Sequence, residues 1–130
     1  MKTVVAALLL AAAVPTLTVP ALAWGAPDTG VKPGKVDGAT AKALAASGAK
    51  VVDVRTPEEF ASGHVPGAIN IPYDQLPRRA AEIGPPGTKV VLYCRSGRRS
   101  GMAFDSLQKA GYGNLYDFGS VSAWPGELAK

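Results

Sequence analysis

The sequence has only one cysteine, Cys94, and one histidine, His64, among 130 residues. A lone cysteine cannot form an internal disulfide, which excludes a small domain braced by disulfides. One cysteine and one histidine are also too few for the usual ligand set of a protein zinc site, so we expect no metal. Cys94 is therefore a buried inert thiol, a partner in an intermolecular bond, or a nucleophile.

Several common functional motifs are absent. No serine-nucleophile elbow, phosphate-binding loop or dinucleotide fingerprint occurs in the chain. The formal net charge is only +4, and no basic stripe with interleaved aromatic residues is present. Both observations argue against nucleic acid as a partner.

The apolar run near the N-terminus is short. It covers Val4–Val14, whereas a membrane-spanning helix needs roughly 20 apolar residues. Lys2 precedes the run, and Ala21-Leu22-Ala23 has the form of a cleavage site. We expect residues 1–23 to be a signal peptide and the mature protein to be periplasmic or secreted, without stable membrane association. The alternative is a retained anchor.

The rest of the chain divides into a Gly- and Pro-rich arm over residues 24–35 and one domain over residues 36–130. Short apolar strands alternate with helices in this domain, which predicts an α/β fold with a parallel sheet covered by helices on both faces. The predicted strands cover residues 51–54, 68–71, 89–94 and 114–118, and the predicted helices cover residues 38–46, 57–62, 74–83, 99–110 and 121–129. We expect Asp37 to cap the first helix, Thr56 and Glu59 to form a capping box at the second, and Gly111 to end the fourth.

The stretch "YCRSGRRS" at residues 93–100 places the only thiol at the end of the most apolar strand, just before a helix. The loop between strand and helix can aim its backbone N–H groups at one point, and Gly97 permits the tight turn. Such a site, with arginines beside it, lowers the pKa of a thiol and attracts anions. The alternative is an inert core cysteine with solvated arginines. The candidate nucleophile is Cys94, and the candidate substrate-binding residues are Arg95, Ser96, Gly97, Arg98, Arg99 and Ser100.

Three further polar residues stand out. Asp53 and Arg55 follow a strand end, and we interpret them as a supporting buried ion pair; the alternative is a direct substrate contact by Arg55. His64 lies in the turn "GHVPG", and we expect it to serve the turn or packing. The alternative for His64 is a general base.

Two segments carry a family resemblance. "VVDVRTPEEFASGHVPGAINIPYDQL" at residues 51–76 and "VVLYCRSGRRSGMAFDSLQKAGYGNLY" at residues 90–116 resemble the two signatures of rhodanese-like domains, and "SAW" at residues 122–124 resembles their closing segment. The resemblance covers roughly residues 36–128 and implies a five-stranded, mainly parallel sheet. In "DFGSVSAW", Ser120 stands where many relatives have a second glycine, which suggests an altered rim.

The resemblance implies a sulfurtransferase of the thiosulfate sulfurtransferase type, with Cys94 carrying a persulfide. Its expected partners are a small anionic donor such as thiosulfate and an acceptor that is cyanide, a thiol or a protein. No metal or organic cofactor is implied. One alternative is a noncatalytic sulfur carrier or binding module. The other is a related phosphatase or arsenate reductase, which the shorter loop and Ser100 disfavour because those enzymes place an arginine at that position.

Overall fold

The computed structural model describes residues 29–130, so the predicted signal peptide and residues 24–28 of the predicted arm lie outside the described residues. The strands are β1 (Gly34–Lys35), β2 (Lys50–Asp53), β3 (Ile69–Asn70), β4 (Val90–Cys94) and β5 (Leu115–Ser120). The α-helices are α1 (Gly38–Ala46), α2 (Pro57–Ser62), α3 (Leu76–Arg79) and α4 (Arg98–Lys109). Short 3₁₀ turns cover Tyr73–Gln75, Ala80–Glu82 and Val121–Ala123.

The five strands form one sheet in the order β1-β5-β4-β2-β3, and every neighbouring pair is parallel. This confirms the predicted α/β fold. β4 lies in the middle, and all five of its residues are buried. A central parallel strand is covered on both faces, which explains why its sequence is a continuous apolar run.

Two apolar clusters lie on opposite faces of the sheet. Val90, Leu92 and Cys94 pack with α3 and α4, through residues such as Leu76, Ala103 and Leu107. Val91 and Tyr93 pack on the other face with Ala41 and Leu44 of α1. Alternate residues of a strand point to opposite faces, so Cys94 belongs to the α4 side.

Local capping explains where the helices begin and end. The Asp37 side chain accepts the N–H of Thr40 at 2.7 Å and starts α1. Thr56 and Glu59 form the predicted capping box at the start of α2, with Pro57 in its first turn. α4 is followed by Gly111, whose φ of 99° suits glycine and ends the helix as expected.

Three details differ from the sequence prediction. The prediction of a helix over residues 121–129 is wrong, because only the 3₁₀ turn at Val121–Ala123 is present. Pro125 disfavours a helical conformation at Trp124. Ala129 pairs with His64 in an antiparallel bridge instead. The helix predicted over residues 74–83 is broken into α3 and two flanking 3₁₀ turns. β1 was not predicted, and it lies within the predicted arm. Two residues are too few for a recognisable periodicity.

Within the described residues, none of the helices has the length and apolar character needed to cross a lipid bilayer.

Candidate active site

Cys94 is the last residue of β4 and lies at the carboxyl edge of the sheet, where parallel α/β folds place their functional sites. A three-residue loop, residues 95–97, connects it to α4. Gly97 caps α4 with a φ of 99°, a left-handed conformation that L side chains rarely adopt. This turn reverses the chain over the sulfur.

The loop directs hydrogen bonds at the Cys94 sulfur. The N–H of Gly97 donates to Sγ at 2.8 Å, and Ser100 Oγ lies 3.6 Å from Sγ. In this arrangement the Cys94 thiol donates to Ser100 Oγ, and the hydroxyl donates its one proton to the Gly97 carbonyl at 3.1 Å, which holds the loop and the first turn of α4 together. When the thiol ionises, the hydroxyl turns this proton to the sulfur. The predicted orientation of loop N–H groups toward the sulfur is confirmed at Gly97.

The pKa of Cys94 lies below its ordinary value. Burial alone would raise it, but the Ser100 side chain and the backbone N–H groups of Ser100, Gly97 and Ser96 hydrogen-bond to the sulfur and outweigh burial. Hydrogen bonds to the charged form therefore stabilise a thiolate here. Hydrogen bonds lead the causes that lower this pKa, so the predicted contribution of the neighbouring guanidinium charges is secondary.

The Cys94 side chain is fully buried, with 0% of its surface exposed. Burial was the prediction of the inert-thiol alternative, whereas the facing N–H groups were the prediction of the reactive one. The structure thus combines both features: a sulfur with no exposed surface and a loop N–H, that of Gly97, directed at it. A reagent can reach this sulfur only if the groups around it shift.

The three arginines that follow Cys94 have different environments: Arg95 lies in the loop, and Arg98 and Arg99 begin α4. Arg99 donates to both carboxylate oxygens of Glu59, at 2.7 and 2.9 Å. The hydrogen bonds from Arg99 lower the pKa of Glu59 to about 2. Burial acts in the opposite direction, and hydrogen bonds from Thr56 add to the lowering. Arg95 and Arg98 are exposed, and neither forms an ion pair with another residue of the described range 29–130. Their charges face solvent and are available to an anion.

Asp53 and Arg55 form the predicted buried ion pair, with Nη2 and Oδ2 2.6 Å apart. Arg55 Nη2 also donates to the Gly63 carbonyl at 2.6 Å, and Asn70 Nδ2 donates to the backbone carbonyls of both residues. The guanidinium lies over the Tyr93 ring at 5.5 Å. Arg55 is only 5% exposed, and its Nε and Nη2 atoms are engaged with Asp53 and the Gly63 carbonyl, so it supports the floor of the site. The direct substrate contact that was the alternative for Arg55 stays a prediction.

His64 has a packing role, as predicted. Its ring stacks on Phe60 with 3.7 Å between centroids, and Nδ1 lies 2.9 Å from the Phe60 carbonyl oxygen. No group of three or more His, Cys, Asp or Glu side chains in residues 29–130 could hold a metal ion.

β5 forms a rim beside the loop. Ser120 is the register partner of Cys94, and its hydroxyl donates to the Arg95 carbonyl at 2.7 Å. A register shift between β4 and β5 precedes it, and the Asp117 side chain accepts the N–H of Gly119 at 2.8 Å across this shift. Gly119 lies against Gly97, so the irregular end of β5 holds the loop from one side.

A sequence profile of the rhodanese-like domain family matches residues 38–127, more than half of the chain. The chain belongs to the rhodanese-like domain family. A sulfurtransferase of Allochromatium vinosum is 44% identical over 75 residues, which cover 57% of this chain and 69% of that protein. The chloroplastic thiosulfate sulfurtransferase 16 of Arabidopsis thaliana is 36% identical over 105 residues, covering 71% and 87% of the two chains. A solved rhodanese from E. coli is 34% identical, with a TM-score of 0.59 over 62% of this chain and 96% of that one.

Sequence reasoning missed two contributors to the site of this rhodanese-like domain. Glu59 was recognised only as part of a capping box, yet it also pairs with Arg99 from 40 positions away. Ser120 was noted as a departure from the family pattern, but nothing in the sequence indicated its bond to the Arg95 carbonyl. Both contacts join segments that only the folded sheet brings together.

Proposed function

We propose that this rhodanese-like domain is a sulfurtransferase in which Cys94 carries the transferred sulfur as a persulfide. The named relatives support a rhodanese-type sulfurtransferase. The observation that carries the proposal for this chain is the Gly97 N–H donated to Sγ at 2.8 Å, together with the lowered pKa of the thiol. A thiolate at the end of a central strand is the nucleophile that sulfur transfer requires.

The first step takes sulfur from an anionic donor such as thiosulfate. The Cys94 thiolate attacks the outer sulfur of the donor and forms an S–S bond. The donor's own S–S bond breaks, and sulfite leaves with the electron pair. The terminal sulfur of the persulfide then carries the negative charge, and the N–H groups of the loop are preorganised donors for it.

Donor binding falls to Arg95 and Arg98 in this proposal. Both are exposed and unpaired within the described residues, whereas Arg99 is neutralised by Glu59. Because Cys94 has no exposed surface in this conformation, the step also requires the groups that cover the sulfur to shift when the donor arrives, after which the loop N–H groups contact the persulfide.

The second step returns Cys94 to its starting state. A nucleophilic acceptor, which is cyanide, a thiol or a protein thiol, attacks the terminal sulfur. The bond between that sulfur and Sγ breaks, and its electron pair remains on Cys94 as a thiolate. Splitting one transfer into two displacements is the benefit of the covalent intermediate.

Intact mass spectrometry after thiosulfate treatment tests the proposal directly. The wild type should gain the mass of one sulfur and release sulfite, and cyanide should remove that sulfur as thiocyanate. Cys94→Ser is the matched control, since the chain then has no cysteine. A sulfur gain that persists in Cys94→Ser, or its absence from the wild type, would overturn the assignment. Sulfur gain without turnover of any acceptor would favour the carrier alternative.

We also propose that the protein is exported, with residues 1–23 removed as a signal peptide. The short apolar run after Lys2 and the Ala21-Leu22-Ala23 site support this. N-terminal sequencing of the protein from the periplasmic or culture fraction of an expressing bacterium should begin at Trp24. A chain that begins at Met1 and sediments with the membrane would show a retained anchor instead.

A further inference from the structure

A cavity of about 490 Å³ lies beside the loop, between α4 and the edge of the sheet. Gly34 and Lys35 of β1 and Asp117 of β5 form one wall, and Arg98, Met102 and Asp105 of α4 contribute to the other. Cavities of this volume commonly hold small molecules. Of the residues that line it, only Arg98 takes part in the steps proposed above.

The charged groups of the cavity are balanced. Lys35 and Arg98 supply two positive charges, and Asp105 and Asp117 supply two negative ones. No ion pair joins any of these four side chains to another residue within the described part of the chain. A small dianion such as thiosulfate meets two carboxylates here, so the cavity suits a ligand that carries both signs of charge better than it suits the donor.

Asp117 is the most informative of the four. It is 6% exposed, so it is a nearly buried carboxylate, and it lies in register with Lys35 on the neighbouring strand. Oδ1 accepts the Gly119 N–H, while Oδ2 has no hydrogen bond from residues 29–130. Because no buried side-chain oxygen in that range lacks a partner, Oδ2 must reach the cavity surface. An accessible oxygen on a nearly buried carboxylate that lines a cavity is a ready acceptor for an ammonium group.

A neighbouring cavity extends along the loop that follows Cys94, although Cys94 itself lines neither cavity. A second cavity of about 330 Å³ shares Lys35 and Asp117 with the first, and it is lined by Ser96 and Gly97 of the loop. Gly97 is the residue whose N–H contacts Cys94 Sγ. A ligand held at Asp117 can therefore extend a short arm along the loop as far as Gly97, and it meets the sulfur when the groups that cover Cys94 shift, as the donor step already requires.

We propose that these joined cavities bind the acceptor of the reaction, and that it is a small amino-acid thiol with a free ammonium and a carboxylate. The ammonium binds Asp117 with Asp105 nearby, the carboxylate binds Lys35 and Arg98, and the methylene carbons pack near Met102. The acceptor thiolate attacks the terminal persulfide sulfur and forms a new S–S bond. The electron pair of the broken bond stays on Cys94, and the proton of the acceptor thiol passes to solvent. This inference rests on the proposed function and identifies its acceptor.

Four thiols separate the charge contributions: L-cysteine has both charged groups, cysteamine lacks the carboxylate, mercaptopropionate lacks the ammonium, and mercaptoethanol lacks both. Each variant is compared with wild type for the same thiol, so that intrinsic thiol reactivity cancels. Asp117→Asn should raise KM about tenfold for cysteine and cysteamine. It should change KM for the other two thiols by less than about twofold. Lys35→Gln should instead raise KM for cysteine and mercaptopropionate, the two thiols that carry a carboxylate.

A second readout does not need turnover. In the Cys94→Ser protein, the methyl NMR signal of Met102, which is 47% exposed and lines the cavity, should shift with L-cysteine and stay in place with mercaptoethanol. Asp105→Asn, at an exposed position, provides a variant that should fold even if Asp117→Asn does not. Asp105→Asn should raise KM for cysteine and cysteamine more than for the other two thiols.

The outcomes distinguish the two proposals. Equal KM changes for all four thiols, or an unshifted Met102 signal, would overturn the acceptor site while leaving sulfur loading of Cys94 intact. Failure of thiosulfate to load Cys94 in the wild type would overturn the proposed function, whatever the NMR titration shows.

Discussion

Removing the Ser100 hydroxyl tests the electrostatic basis of the site. Ser100 is fully buried, its Oγ lies 3.6 Å from Cys94 Sγ, and its side chain heads the causes that lower the pKa of the thiol. A hydrogen bond to a charged group contributes about 1.5–3 kcal/mol. The separation is long and the Ser100 backbone N–H remains, so we take the lower limit, about 1.5 kcal/mol. Since one pKa unit equals about 1.36 kcal/mol, Ser100→Ala should raise the pKa of Cys94 by about one unit.

Two measurements follow this change. The rate of alkylation by iodoacetamide, recorded across pH, gives the fraction of thiolate, and the ultraviolet absorbance of the thiolate gives it independently. Below both pKa values, Ser100→Ala should react about tenfold more slowly than wild type, and at high pH the two rates should converge. Burial of the sulfur slows alkylation of both proteins alike. Each pKa is therefore taken from the midpoint of that protein's own curve of rate against pH.

Two control variants isolate the hydroxyl. Ser96→Ala removes an exposed hydroxyl but keeps the backbone N–H that helps to lower the pKa, and its titration should match wild type. Ser100→Thr keeps a hydroxyl and should restore much of the wild-type pKa. If Ser100→Ala is folded and its titration coincides with that of the wild type, the hydroxyl does not stabilise the thiolate and the reasoning is refuted.

Three further variants test the supports of the site. Gly97→Ala should lower the free energy of unfolding, measured in urea, by about 1–2 kcal/mol, because a φ of 99° strains any residue other than glycine. The pKa of the Cys94 thiol should also rise. Unchanged stability would contradict the strain. The pKa of Glu59 is about 2 when folded and ordinarily 4.5, so its pairing with Arg99 stabilises the fold fully above pH 4.5 and loses this effect as pH falls toward 2. Glu59→Gln should therefore be less stable than wild type by about 1 kcal/mol at neutral pH, discounted for partial exposure, and the gap should close in acid. Arg55→Met leaves buried Asp53 unpaired and should cost about 3–5 kcal/mol in the same assay, and a loss below about 1 kcal/mol would show that the pair is dispensable.

Local sequence patterns predicted most elements of the fold and the place of the candidate nucleophile. The apolar residues of β4 predicted a central buried strand, and Gly97 predicted the turn over its end. The capping residues Asp37 and Thr56 predicted the starts of two helices. These signals are reliable because each depends on neighbours within about four positions, such as a side chain that caps the helix it begins.

Only the tertiary structure decided the contacts that shape the site. Arg99 pairs with Glu59 across 40 positions, and Ser120 bonds to the Arg95 carbonyl across 25. The contacts of β5 with the loop that follows Cys94, and the cavity that β1 and β5 form with α4, likewise depend on the assembled sheet. Periodicity and spacing describe what one segment does, whereas these features arise where segments distant in sequence share one sheet edge. For that reason the sequence determined which thiol is placed at the end of the central strand, and the fold determined how it is covered, which arginines remain unpaired and what lies beside it.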